Sequence, residues 1–294
     1  MKHIFGKRTI LAGAAVALAF SLAACSSDGA SESDAASVAS PEFADGTTMA
    51  DIASAGSITI GTKFDQPGFG LLNPSSNEPE GFDVEIGKMI AGQLGIAPEN
   101  ITWVESVSAN REPFIQEGKV DLVVATYTIN DDRKKVISFA GPYYQAGQDI
   151  MVAKGNPLGI TGPDDLAGKN VCSVEGSTPA ENIRTNYPEA QLTLFDVYSK
   201  CAEALKNGQV DAVTTDNVIL LGIIFQDPES FEIVNNPFTE EPYGIGVQLE
   251  DTDFRSFIND SLEQSFADGS WASAWDSTAG AFVATPQPPA VNRY

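Results

Sequence analysis

EGKVDLVVATYTI, residues 117–129, and NGQVDAVTTDNVI, residues 207–219, together decide how this chain folds. Each carries Gly-x-Val-Asp, then a short apolar run, then polar residues where the run ends. They read as the same turn and buried strand used in two different halves of the chain, although the match is short and helix-glycine-strand junctions are common. In open α/β sheets ligands sit outside the carboxyl ends of strands. Two such ends facing one another would make a cleft, so the polar residues after each strand are the first candidates for a site.

The surrounding pattern agrees. SITIGTKF (57–64), ITWVESV (101–107) and VDLVVAT (120–126) read as strands, and FDVEIGKMIAGQLG (82–95) carries Phe82, Ile86, Met89, Ile90 and Leu94 at helical spacing. A second series, NVCSVEG, STPAENIRTNY, QLTLFDV, KCAEALKNG, VDAVTT and VILLGIIF, again alternates strand and helix. Such alternation predicts an α/β fold with parallel sheets. FEIVNNPFTEEPYGIGVQLED (231–251) reads as an exit from the second series into another strand, so the chain crosses between lobes twice. Lobe 1 is expected over 51–147 and 243–294, and lobe 2 over 148–242. Gly147, Gly244 and Gly246 are natural hinge positions, though glycine in a strand equally marks a bulge. DTDFRSFINDSLEQSFADGSWASAW (251–275) reads as one amphipathic helix packing back on lobe 1.

The N-terminus places the protein. MKHIFGKR is basic, TILAGAAVALAFSL is apolar but short for a membrane span, and LAAC closes the segment at Cys25. Residues 1–24 are expected to be a signal peptide. Cutting at an ordinary small-residue site is the alternative, but Leu-Ala-Ala-Cys resembles the lipobox of bacterial lipoproteins, which makes Cys25 the lipidated first residue of an extracytoplasmic protein held on the outer face of the cell membrane. Two acyl chains suffice for stable anchoring. Residues 25–50 lack the large apolar side chains needed to fold and read as a flexible tether. Removing the signal peptide takes Lys2, Lys7 and Arg8 from a chain of formal net charge −23, so nucleic acid is excluded as a partner. An anionic ligand would need local cations gathered in a cleft.

Cys172 and Cys201 remain, and outside the cytoplasm such a pair reads as a disulfide, with two free buried thiols as the alternative. A loop of that length would contribute roughly 3 to 4 kcal/mol. Two cysteines without histidine make a poor zinc site, and the only histidine, His3, leaves with the signal peptide. No metal or cofactor is expected. About 250 residues after the tether suit two modest lobes in a monomer.

GFDVEIGKMIAGQL (81–94) and SANREPFIQEGKVDLVVATYTINDDRKKVISFAGPYY (108–144) resemble the extracytoplasmic solute-binding proteins of polar amino-acid ABC transporters, family 3, and most closely the glutamate-binding lipoproteins of Gram-positive bacteria. The resemblance covers nearly everything from about residue 55 onward. It implies a two-lobe, periplasmic-binding-protein-like fold with a cleft, an amino-acid ligand, a membrane permease as partner and no catalysis. It also gives ATYTINDDRKK a meaning beyond a strand edge and a solvated turn. Arg133 takes the ligand α-carboxylate, which a planar guanidinium grips with two parallel hydrogen bonds. Thr128 assists with that carboxylate, and Thr126 receives the ammonium. From lobe 2, Ser177 and Thr178 stand after Gly176 at a helix start that can hold an anion, with simple capping as the alternative. Asp216 matches the carboxylate for the ammonium and could equally cap the helix after it. The disulfide has a counterpart in those lipoproteins.

Selectivity comes from Lys63 and Arg111. Lys63 stands where binders of cationic amino acids in this family carry an acid, and Arg111 matches an arginine that reaches the distal carboxylate in glutamate and aspartate binders. Either could be a surface charge. Together they favour an acidic amino acid, since glutamine would leave a buried cation without a counter-ion unless Asp65 or Glu112 supplies one. Gln66 could also bond a side-chain amide. Phe64 and Phe69 could pack on the ligand's aliphatic part, with core packing as the alternative. The rival functions are a periplasmic-binding-fold dehydratase, which needs an acid or base beside a leaving group, and a ligand-sensing ectodomain. The expectation that no membrane span follows residue 294 counts against the sensor.

Overall fold

The computed structural model describes residues 41–294; the expected signal peptide, Cys25 and the tether up to residue 40 lie outside the described residues. The first half runs through α1 (Thr48–Ala55), β1 (Ile58–Thr62), a small antiparallel sheet of β2 (Asp65–Gln66), β3 (Gly70–Leu72) and β4 (Pro79–Glu80), then α2 (Phe82–Gln93), β5 (Ile101–Glu105), α3 (Arg111–Gln116), β6 (Leu122–Val123) and β7 (Ser138–Ala146). The second half holds β8 (Gln148–Ala153), β9 (Asn170–Val174), α4 (Thr178–Asn186), β10 (Gln191–Phe195), α5 (Tyr198–Lys206), β11 (Ala212–Asp216), α6 (Asn217–Gln226) and β12 (Phe231–Ile233). The chain then returns through β13 (Glu241–Val247) to α7 (Thr252–Asp268) and α8 (Ser270–Asp276).

Two five-stranded sheets result, ordered β5-β1-β6-β13-β7 and β10-β9-β11-β8-β12. The chain leaves the first after Ala146 and comes back at Glu241, so two lobes are joined by two crossings. The sheets are mixed, not wholly parallel. β1 runs parallel to β5 and β6, and β9 to β10 and β11, but β13 and β8 are antiparallel to their neighbours. Each reversed strand is the one that arrives from the other lobe. The carboxyl ends of the parallel strands face the cleft, so a chain entering from the cleft must run the opposite way.

The repeated Gly-x-Val-Asp is one device used twice. Gly118 and Gly208 adopt left-handed φ values of 66° and 67°, which ends α3 and α5 without a Cβ penalty. Val120 and Val210 then turn into the core. The aspartates tie in the neighbouring strand: Asp121 Oδ2 accepts from Thr59 N–H at 2.7 Å, and Asp211 Oδ2 from Asn170 N–H at 2.7 Å.

The core of the first lobe is aromatic, with Phe69, Phe82, Tyr143, Tyr144, Tyr243, Trp271 and Trp275 in mutual contact beneath α2 and α8. Two boundaries differ from the sequence reading. The tether does not extend to residue 50: α1 begins at Thr48 with Met49 and Ile52 buried, and Phe43 packs edge-on against Phe257 at 5.5 Å, because these apolar side chains find α7 to cover. The C-terminal helix is two helices, broken at Gly269. Gly244 and Gly246 are bare because a Cβ at either would meet Ile129 or Ile115 at 2.6–2.7 Å, a packing constraint that needs no hinge.

Candidate ligand site between the lobes

The facing strand ends come together. Arg111, Thr126 and Thr128 from the first lobe and Ser177, Thr178 and Asp216 from the second line one small, tightly closed cavity, with Ser108, Pro179, Tyr198, Thr215 and Ile219 completing its wall. Thr178 hydroxyl donates to Glu241 Oε2 at 2.7 Å and lies 3.2 Å from the Thr128 hydroxyl across the cleft.

Thr126 is held in a left-handed conformation, φ 42°, uncommon for a residue with a branched side chain. Its N–H donates to Asp83 Oδ2 at 2.7 Å, while Tyr143 OH donates to Asp83 Oδ1 at 2.7 Å. Burial pushes the Asp83 carboxyl up to about 6 despite both bonds. Thr126 hydroxyl donates to Gln66 Oε1 at 2.9 Å, leaving Gln66 Nε2 buried without a hydrogen-bond partner among the described residues.

Arg133 is buried, opening a single 3-10 turn, but its guanidinium is engaged by protein on all sides. Nε donates to Glu112 Oε1 at 3.0 Å, Nη1 to Thr128 O at 2.7 Å, and Nη2 to Gly176 O of the other lobe at 3.0 Å. It stands beside the cavity, outside its lining. Arg111 lies over the Tyr127 ring at 4.2 Å and donates only to carbonyl oxygens, those of Ser108, Ala125, Thr126 and, across the cleft at 3.4 Å, Gly176. Lys63 Nζ donates to Ser108 Oγ at 2.9 Å. Burial, followed by the charge of Arg111, drops the Lys63 ammonium to about 7. Among the described residues neither Arg111 nor Lys63 has a carboxylate within ion-pair distance, whereas Arg133 has Glu112.

Asp216 accepts from Tyr243 OH through Oδ2 at 2.6 Å, and Oδ1 is buried without a partner among the described residues. Its side chain does not cap α6. Burial first, then the neighbouring Glu241, raises its carboxyl well above the usual range. Ser177 does cap α4, accepting from Ala180 N–H at 3.1 Å and donating to Val174 O at 2.7 Å. Its capping role is therefore present alongside its place in the wall.

The expected aromatic contacts are not in the wall. Phe69 is wholly buried in the lobe 1 core, with ring neighbours Phe82, Tyr144, Tyr243 and Trp275 at 5.9–6.2 Å, a correction to its reading as a ligand contact. Phe64 is half-buried and likewise absent from the lining. Asp65 reaches across the cleft, accepting from Tyr198 N–H at 2.8 Å and Ser199 N–H at 3.4 Å, so a lobe 1 carboxylate caps a lobe 2 helix that has no side-chain cap of its own. That helix is pinned to β9 by the Cys172–Cys201 disulfide, Cα–Cα 5.6 Å.

The sequence reading missed Glu241, Asp83, Tyr198 and Thr215. No local signal marks either acid: Asp83 stands in the first turn of α2, and Glu241 opens β13 where the chain returns to the first lobe. No group of His, Cys, Asp and Glu suited to a metal ion occurs among the described residues.

Known proteins share this architecture. Glutamate-binding protein GluB of Corynebacterium efficiens is 42% identical over 225 residues, covering 74% of this chain and 76% of its own. The ABC transporter glutamine-binding protein GlnH of Bacillus subtilis is 39% identical over 270 residues, covering 92% and 94%. The structure of an ancestral arginine-binding protein bound to glutamine is 34% identical with a TM-score of 0.71, covering 76% of this chain and 97% of that one. Residues 58–277 match the family described as bacterial extracellular solute-binding proteins, family 3. Two mixed lobes meeting at a cavity of one arginine, several hydroxyls and one carboxylate, with a family match across most of the chain, lead to one conclusion: the chain belongs to the bacterial extracellular solute-binding proteins of family 3.

Proposed function

We propose that the protein binds an acidic amino acid, L-glutamate and secondarily L-aspartate, and delivers it to an ABC-transporter permease while held on the outer face of the membrane through a lipid at Cys25. The supporting observation is the charge balance. Arg111 and Lys63 are buried cations without a carboxylate partner among the described residues, and Asp216 Oδ1 is a buried acceptor without a donor. A ligand with two carboxylates and one ammonium supplies what all three lack, and burying an ion without its opposite is unfavourable by several kcal/mol. Gly176 O, which both arginines share across the cleft, is the acceptor that an entering α-carboxylate would replace. Lobe 2 contacts made through the ligand would then favour the closed form over an open one.

Glutamine is the second reading. It is favoured by the Glu112–Arg133 ion pair, which already neutralises one of the three cations, and by the likeness to GlnH over almost the whole chain. Titration calorimetry of residues 26–294 with glutamate, aspartate, glutamine and arginine at pH 7 separates these. Glutamate is expected to bind most tightly, and Arg111→Met to weaken glutamate at least tenfold more than glutamine. Tighter binding of glutamine or arginine by the unmutated protein would reject the acidic assignment.

A further inference from the structure

We infer that Asp83 is a positioning residue for the ligand cavity: from outside the lining it fixes the peptide between Ala125 and Thr126, and through that peptide it aims the Arg111 guanidinium. The inference rests on the reading of the cavity as an amino-acid site and names a residue on which the geometry of that site depends. Thr126 and Arg111 line the cavity, whereas Asp83 stands outside the lining and is wholly buried.

One peptide plane carries the connection. Thr126 N–H donates to Asp83 Oδ2 at 2.7 Å, and Ala125 O, at the other end of the same amide, accepts from Arg111 Nη1 at 3.1 Å. A trans peptide is rigid and its N–H and C=O point opposite ways, so a carboxylate gripping one end sets the direction of the other. Arg111 Nη1 also donates to Thr126 O at 3.3 Å, a carbonyl whose direction follows from the left-handed φ of 42° at Thr126. That conformation is strained for a β-branched residue and persists only where its surroundings over-determine it. Asp83 supplies the restraint, and a bond to a carboxylate is stronger than one to a neutral acceptor.

Asp83 is itself held firmly. Its Oδ1 accepts from Tyr143 OH at 2.7 Å, and its own N–H, in the first turn of α2, donates to Phe69 O at 3.0 Å. Gly81, at the start of that helix, packs so closely on Phe69 that a Cβ would stand 2.4 Å from its backbone. The aromatic core of the first lobe thus reaches the cavity wall through one carboxylate.

The test is calorimetry with L-glutamate, together with ligand-free melting, of Asp83→Asn, Asp83→Glu and Asp83→Ser. The first keeps an acceptor in place for Thr126 N–H and gives up the charge; the second keeps the charge and moves it by one methylene; the third is too short to reach the amide. Asp83→Asn is expected to bind the ligand within about threefold of the unmutated protein, and whichever of the other two folds to raise the Kd about tenfold, equivalent to about 1.4 kcal/mol. In an Arg111→Met background that loss should shrink to about threefold or less, because the two residues act through one peptide. Affinity within about twofold in Asp83→Glu and Asp83→Ser, with only the melting temperature lowered, assigns Asp83 to the core and overturns the inference. A loss of about tenfold in Asp83→Asn, or the same loss with and without Arg111, overturns it too. If the unmutated protein prefers another amino acid, the acidic reading fails by itself, and the same variants titrated with that amino acid still decide the role of Asp83.

Discussion

Gly222→Ala should separate stability from ligand affinity. Gly222 lies within α6 of lobe 2, and a Cβ added there would stand 2.3 Å from Pro67 O and 3.2 Å from Pro67 C, backbone atoms of the lobe 1 turn between β2 and β3. That is about 1 Å inside an ordinary carbon–oxygen contact of about 3.3 Å. No side-chain rotamer can relieve it, because both partners are fixed to the backbone, so the lobes must part or α6 must shift. Overpacking of this kind costs about 1–3 kcal/mol, and the whole of it falls on the closed form. Replacing a helix-interior glycine by alanine meanwhile favours the folded chain by roughly 0.5–1 kcal/mol. The expected outcome is a ligand affinity about 5- to 150-fold weaker, from about 1.4 kcal/mol per tenfold. The ligand-free melting temperature should hold or rise by about 1–4 °C. Calorimetry and melting curves with and without ligand measure both. The reasoning fails if affinity stays within twofold, or if the ligand-free protein loses as much stability as the liganded one.

Lys63 should make glutamate binding take up protons: with its ammonium at about 7 in the ligand-free protein, it is mostly neutral at pH 8, and a distal carboxylate beside it would restore the charge. Calorimetry at pH 8 in two buffers of different ionisation heat should show uptake of up to about 0.9 proton, absent in Lys63→Met, and no uptake by the unmutated protein would refute the contact. For stability the sign follows from the lowered value. Between about 7 and 10.5 the unfolded chain holds the proton and the folded chain does not, so this group makes stability rise with pH across that window, and Lys63→Met should flatten the rise seen in melting temperatures. Cys172→Ser with Cys201→Ser opens a link spanning a sequence separation of 29 and should remove about 3.5 kcal/mol by the chain-entropy relation. Melting of the non-reduced protein and the double variant, expected to differ by roughly 7–14 °C, checks this, and a difference below about 2 °C would contradict it.

Much of the fold was legible because its signals are local. Helical spacing through Phe82, Ile86, Ile90 and Leu94 marks α2, all four being buried as one face. The repeated Gly-x-Val-Asp marked the two strand ends, and the structure brings both to one cavity. Glycine, valine and aspartate there each act within a few residues or on the adjacent strand, which is why a short motif carries the information. Strand direction was not legible, since the reversed strands β8 and β13 owe their sense to the lobe they come from.

By itself, then, the sequence determined the alternation of elements, the residue types available for a zwitterion and the cysteine pair. Tertiary structure alone decided which of those residues face one another. Phe64 sits one residue from Lys63 and Phe69 three from Gln66, yet only the fold puts Phe69 against Trp275 and Lys63 against Ser108. Arg133 finds Glu112 in its own lobe and Gly176 in the other, and Asp65 finds a helix 133 residues onward. The physical reason is that charge pairing and desolvation act through space: whether a cation is already neutralised, and so what ligand it can accept, depends on neighbours that chain distance does not reveal.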